Sequence, residues 1–142
     1  MTSPAKAPLY SPQLLALAVE LADYPFDPDA PFIGEARSRS CGSSLSLSCD
    51  PSFNRLGMRV TACAVGQAAA TVFARHAARA QPSRIKEVVA QIERWVGGEG
   101  ETPDWPDIAL LAPARDYPGR HGAILLPWRA AVDALSNHGA GR

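Results

Sequence analysis

The chain has 142 residues, with 14 basic against 14 acidic side chains and 46% apolar residues. This length supports one domain over residues 1–142, with loose ends at 1–8 and 137–142, and is too short for two domains with cores of their own. Zero net charge gives no field that favours nucleic acid or an anionic surface, and no apolar run is long enough to span a bilayer.

The first ten residues lack the apolar stretch of a secretory signal. Together with an odd cysteine count (Cys41, Cys49 and Cys63), this points to reduced thiols and a cytoplasmic location.

In chain order, Ser11-Pro12 reads as an N-cap followed by proline at the first helical position. Leu14, Leu15, Leu17, Ala18 and Leu21 then give a helical apolar stripe to about residue 22. The proline-punctuated stretch 24–31 is a linking loop. Residues 32–40 are expected to form a first strand, with Arg37 and Arg39 on one face.

A β-hairpin follows. Its arms alternate polar and apolar residues on either side of Asp50-Pro51-Ser52-Phe53-Asn54, a composition that favours a turn. The apolar set is odd-numbered on the first arm (Leu45, Leu47 and Cys49) and even-numbered on the second (Leu56, Met58, Val60 and Ala62). Faces must match across an antiparallel pair, so Cys63 is out of phase with its own strand. The strand is therefore expected to stop near Thr61 or Ala62, with Cys63 in the turn that opens the next helix. Cys41 and Cys63 can then approach, whereas Cys49 is carried roughly 26 Å along the strand from Cys41 at ~3.3 Å per residue. Cys49 reads as a buried small apolar residue.

An alanine-rich helix is expected from 64 to about 80, with Val65, Ala69, Val72, Phe73 and His76 near one stripe. Pro82 is expected to break it and Ser83 to cap the next helix. In that helix Ile85, Val88, Val89, Ile92, Trp95 and Val96 follow an i, i+3, i+4, i+7 spacing up to Gly97-Gly98. Residues 99–118 are irregular, with one short helix at 108–112. A last helix carries Ile124, Leu125, Trp128, Val132 and Leu135, with Pro127 bending it. The sum is an α+β fold: a small antiparallel sheet of about three strands packed against a C-terminal helical half.

These residues resemble the U-type iron–sulfur cluster assembly scaffolds, which share the NifU N-terminal fold. Members of that family carry a Cys-Gly-Asp motif and a second cysteine at a strand-to-helix turn. A third cysteine sits in a His-Cys or Lys-Cys pair before a final Leu-rich helix. The chain matches at Cys41-Gly42, at Thr61-Ala62-Cys63-Ala64-Val65, and at Arg120-His121 followed by Ala123-Ile124-Leu125-Leu126-Pro127-Trp128. The family aspartate is Ser43 here and its third cysteine is Gly122. The aspartate is associated with cluster release in the family, and Ser43 leaves that property open for this chain. The Leu-Pro-Pro-Val-Lys chaperone segment of one branch is replaced by Asp116-Tyr117-Pro118-Gly119-Arg120.

The resemblance implies a non-enzymatic scaffold or carrier. Cys41 and Cys63, with His121 as auxiliary ligand, would hold a nascent 2Fe–2S cluster, iron or sulfur supplied by a cysteine desulfurase. A fourth ligand would come from water, Ser43, a partner protein or a second copy. A homodimer giving two cysteines per chain would provide four thiolates. Thiolate and imidazole together also suit Zn2+, so a zinc-holding sulfur-transfer partner of the desulfurase is an alternative. A cluster-free partner-binding protein of the same fold is another. A thiol at a helix N-terminus gains from the exposed N–H groups, and Arg39 or Arg120 can add positive charge. No Gly-rich phosphate loop, His-Glu-x-x-His or dinucleotide fingerprint is present, and no orienting third residue supports a Cys63–His121 hydrolase.

Overall fold

A computed structural model of the chain describes residues 9–39 and 42–140, with side chains to Asn137. Cys41 and the expected loose segment 1–8 lie outside the described residues. Helix α1 (Pro12–Glu20) begins as its sequence dictates: the Ser11 hydroxyl accepts from Leu14 N at 3.1 Å, and Pro12 occupies the first turn, where its missing N–H costs nothing. Leu14 and Leu17 are buried, but Leu15 is 44% exposed. At 3.6 residues per turn, a helix that buries 14 and 17 turns 15 away.

Strands β1 (Phe32–Arg37), β2 (Ser44–Cys49) and β3 (Gly57–Thr61) form an antiparallel sheet in the order β1-β2-β3. The expected register holds: Leu45 faces Val60 and Leu47 faces Met58, while Phe32 and Gly34 of β1 oppose Cys49 and Leu47. β1 stops at Arg37 rather than running to residue 40, because a turn begins at Ser38. There Ser38 N donates to Ser43 O at 2.8 Å, Gly42 N donates to Ser38 O at 3.0 Å, and Gly42 adopts a φ of 69°. Arg39 therefore sits in the turn and not beside Arg37 on a strand.

Between β2 and β3, Asp50 organises the loop by accepting from Arg55 N at 3.0 Å and Phe53 N at 3.1 Å. Phe53 takes a φ of 60°, costly for a bulky residue. It is held there by burial and an edge-on contact with Phe73, ring centroids 6.1 Å apart.

Both outer strands have their free edges engaged. On β3, Met58 N donates to Tyr24 O at 2.9 Å, and the approach is so close that a Cβ on Gly57 would lie 1.9 Å from Pro25 O. On β1, Glu35 N donates to the Asp133 carboxylate at 2.8 Å and the Asn137 amide donates to Ile33 O at 3.4 Å.

Helix α2 (Ala64–His76) is shorter than expected and finishes in a 3-10 turn at Ala77–Arg79. Helix α3 (Pro82–Val96) uses Gln81 as its N-cap. Pro82 thus starts this helix instead of ending the previous one, and Ser83 lies inside the first turn instead of capping it. Ile85, Val88, Ile92, Trp95 and Val96 are buried as their spacing requires. The short helix expected at 108–112 is a 3-10 segment extending over Ile108–Asp116. Helix α4 (His121–Ala140) contains Pro127 and continues past residue 137, where the tail was expected to fray. The hydrogen bond from Asn137 to β1 accounts for the difference. Among the described residues, no helix is long and apolar enough to cross a membrane.

The core lies between the sheet and the helices. The small residues of α2 (Ala68, Ala69 and Ala70) are fully buried and let Phe73 reach the centre. Phe73 stacks on Trp105 at 5.4 Å and meets Trp128 edge-on at 5.6 Å. Thr71 donates to Leu17 O at 2.6 Å and ties α2 to α1. Helix α4 packs onto β1 at Gly34, where a Cβ would fall 2.1 Å from Ala130 O. That contact is with backbone, which cannot rotate away. Gly34→Ala should therefore destabilise the fold by about 3 kcal/mol or more, read as a lower urea midpoint. An unchanged midpoint would mean that α4 does not bear on the sheet there.

A polar network closes the outside of α1 and α2. Arg75 binds the Glu20 carboxylate and, at 3.2 Å, Asp107; His76 meets Asp107 at 2.8 Å. Hydrogen bonding to His76, and then to Arg75, holds the Asp107 carboxyl below its ordinary range; Arg75 does the same for Glu20. Groups with lowered folded-state pKa values add stability that is present above the ordinary carboxylate range and lost as pH falls through the folded value. Asp107→Asn keeps a residue suited to the φ of 70° found there while removing the charge. It should flatten the decline in melting temperature below about pH 4; an equally steep decline in the variant would exclude Asp107 as a contributor.

Candidate functional site

Cys63 owes its position to the end of the sheet. The last ladder pair is Ser44 with Thr61, and two residues later the chain has become α2. Cys63 is the N-cap residue, with extended backbone (φ −67°, ψ 175°), and its carbonyl accepts the first helical bond from Gln67 N at 3.1 Å. Its thiol makes no capping hydrogen bond. Instead the Gln67 side chain reaches back and donates to Ala62 O at 3.1 Å. This corner is tight: a Cβ on Gly66 would lie 2.6 Å from the Ala62 methyl and 3.5 Å from that of Ala123. Gly66 thus lets the strand turn into the helix while the first turn of α4 packs against it.

Three segments meet around the thiol. The β3–α2 corner supplies Thr61, Ala62 and Cys63; the β1–β2 turn supplies Gly42 and Ser43; the 3-10 turn Pro118–Arg120 supplies Arg120. Together they line a depression of about 360 Å³. Gly42, whose chain neighbour is Cys41, lines it directly. Cys63 is half-buried and is a free thiol.

His121 begins α4 immediately after Arg120, but it is not part of the lining of the depression. Its Nε2 lies 2.8 Å from Arg115 O. A carbonyl only accepts, so Nε2 carries a proton and donates, leaving Nδ1 of the neutral ring with its lone pair. The fixed tautomer and the backbone carbonyl behind the ring match the way outer partners orient ligating histidines. Gly122, at the family's third cysteine position, has no side chain to offer. Among the described residues, no group of three or more His, Cys, Asp and Glu side chains gathers in a way that could hold a metal ion.

Cys49 behaves as expected of a structural residue. It sits at the opposite end of the sheet, paired with Phe32, with no accessible surface. Burial, followed by the neighbouring Asp50 charge, pushes its thiol up to about 12. His76 is occupied by Asp107 at the far end of α2, and Leu125, Leu126 and Trp128 are core. Two features had no signal in the sequence: the Arg115 carbonyl that fixes His121, and a wider depression of about 550 Å³ between the loop after α1 and the β2–β3 loop. The first needs a backbone oxygen, which no residue pattern announces.

The contrast between the thiols is testable. At pH 8, iodoacetamide followed by peptide mapping should modify Cys63 in the native protein and spare Cys49 until denaturant is added. Equal labelling of both would place Cys49 nearer the surface than its packing allows.

In three dimensions the chain is similar to known scaffolds over nearly its whole length. It superposes on a nitrogen-fixing NifU-like protein (N-terminal) from Brucella abortus with a TM-score of 0.81, 24% identity, and coverage of 94% of this chain and 96% of that one. A putative iron-sulfur cluster assembly scaffold protein for the SUF system from Fervidobacterium islandicum AW-1 gives 0.76 and 21% over 89% and 96% of the two chains. A hypothetical protein solved at 2.3 Å resolution gives 0.63 and 15% over 87% and 97%. No protein-family profile matches the sequence, and no curated protein resembles it in sequence. The α+β fold is that of the NifU-like and SufU scaffolds.

Proposed function

We propose that this chain is an iron–sulfur cluster assembly scaffold or carrier whose cargo is held by Cys41 and Cys63, with His121 as auxiliary ligand. One observation carries the reading: a scaffold fold presents Cys63 at the N-cap of α2, its thiol free of capping bonds, at an open depression that Gly42, the chain neighbour of Cys41, also lines. Thiolates are the donors that iron–sulfur cargo requires. The N–H groups of the α2 N-terminus that lack a helical partner favour negative charge beside Cys63. The chain holds and passes on; it does not catalyse. The sulfur donor is a cysteine desulfurase, as the likeness to a SUF-system scaffold suggests.

The ligand set accounts for the expected stoichiometry. With Ser43 and Gly122 in place of a carboxylate and a thiolate, one chain offers two cysteines. Two chains pairing across a 2Fe–2S unit would supply four. A second reading is a zinc-holding sulfur-transfer partner of the desulfurase. It is favoured by the His121 hydrogen bond: with Nε2 donating to Arg115 O, Nδ1 is the nitrogen left for a metal, and imidazole together with thiolate suits tetrahedral Zn2+.

The test is anaerobic reconstitution with ferrous iron, cysteine and a cysteine desulfurase, followed by metal and sulfide analysis and the visible spectrum. The wild-type chain should develop a labile chromophore at one 2Fe–2S unit per two chains. It should be abolished in Cys41→Ser and Cys63→Ser and bleach several-fold faster in His121→Ala. Tight zinc without a chromophore would select the sulfur-transfer reading. Binding of neither metal would overturn both and leave a partner-binding protein on a scaffold fold.

A further inference from the structure

Arg120 stands out in the depression around Cys63. Arg120 is half-buried and lines the same depression as Cys63. Its backbone N donates to Tyr117 O at 2.8 Å, which fixes the turn, yet no carboxylate among the described residues pairs with its side chain. Arginines at other depressions have acidic company: Arg84 binds Glu87 and Asp104, and Arg129 binds Glu93. Arg55, Arg79 and Arg94, though not ion-paired, share their depressions with aspartate or glutamate side chains.

Among the described residues the lining carries no acid: Gly42, Ser43, Thr61, Ala62 and Cys63 supply small surfaces, two hydroxyls and the thiol. By contrast, the 550 Å³ depression at the far end of the sheet contains Asp27, Asp29 and Asp50. A guanidinium without a counter-charge, in a concave site, is a recognition element for a planar anion, and carboxylate is the group its fork of donors fits best. The volume of about 360 Å³ lies within the range of small-molecule sites.

We propose that the depression selects its sulfur reactant by charge. The reactant is a small carboxylate-bearing disulfide or persulfide, its carboxylate held by Arg120 and its sulfur presented to Cys63. This rests on the reading of Cys63 as a sulfur-handling residue and names the reactant class. The Cys63 thiolate attacks the outer sulfur of R–S–SH, a new sulfur–sulfur bond forms on Cys63, and the carboxylate-bearing thiolate R–S⁻ leaves with the electron pair of the broken bond. With a symmetric disulfide the same attack gives Cys63–S–S–R and one R–S⁻. Arg120 acts as the positioning residue in both.

The experiment measures rate constants for mixed-disulfide formation at Cys63, followed by mass mapping of the full chain. Three symmetric disulfides are compared: dithiodiglycolate (anionic), dithiodiethanol (neutral) and cystamine (cationic). The wild-type chain should favour the anionic over the cationic reagent by about tenfold at low ionic strength, with the ratio shrinking as salt is added. Arg120→Gln should collapse the ratio towards unity, the neutral reagent serving as the reference for any general change in thiol reactivity, and Arg120→Lys should retain most of it. Protection of Cys49 in each variant confirms the native fold. An unchanged ratio in Arg120→Gln, or no preference in the wild type, overturns the proposal. The two readings fail separately: charge selection without iron, sulfide or zinc binding removes the scaffold function but not the site, and a reconstituted cluster without charge selection does the reverse.

Discussion

The arrangement of the molecule depends on how closely helix α4 can lie against its neighbours. At Gly34 the absence of a side chain lets the backbone of α4 rest on β1, and at Gly66 the first turn of α4 comes into contact distance of α2 through Ala123. Fixed at both places, α4 delivers its first turn, with Arg120 and His121 before and at its start, to the corner where β3 becomes α2. The aromatic group of Phe73, Trp105 and Trp128 fills the space behind. The site is thus the meeting point of segments far apart in sequence, each held by contacts remote from the thiol.

The same sheet sets two cysteines in opposite environments. Cys49 closes the inner face of β2 and is sealed from water, which disfavours its thiolate. Cys63, at the other end of the hairpin, has left the sheet and faces an open depression. The difference follows from register: Cys49 is in phase with Leu45 and Leu47, whereas Cys63 falls out of phase with Met58 and Val60, so the strand has to end before it.

That register was legible from the alternation of residues alone, and with it the hairpin, the N-cap position of Cys63 and the structural role of Cys49. The Ser11-Pro12 start of α1 was legible for the same reason: both depend on neighbours in sequence. Boundaries set by distant partners were not. α4 runs past residue 137 because Asn137 reaches Ile33 on β1. α3 begins at Pro82 because proline suits a first turn as well as it ends a preceding one, a choice local pattern leaves open. Within the site, the ordered matches at Cys41-Gly42, Cys63 and His121 pointed to the fold that the structural neighbours share. The hydrogen bond that fixes the His121 ring depends on a carbonyl in an irregular segment and could only be seen in three dimensions.

The two closed borders of the sheet bear on how the protein can associate. Asp133 and Asn137 engage the outer backbone groups of β1, and Tyr24 engages those of β3. A peptide seeking to extend the sheet by one strand would first have to displace these groups and leave their own polar atoms unpaired. Recruitment by backbone ladder is therefore closed at the positions they occupy. Helix surfaces and loop rims are left as the places where a partner can dock, and side-chain identity, rather than main-chain complementarity, decides which partner is accepted.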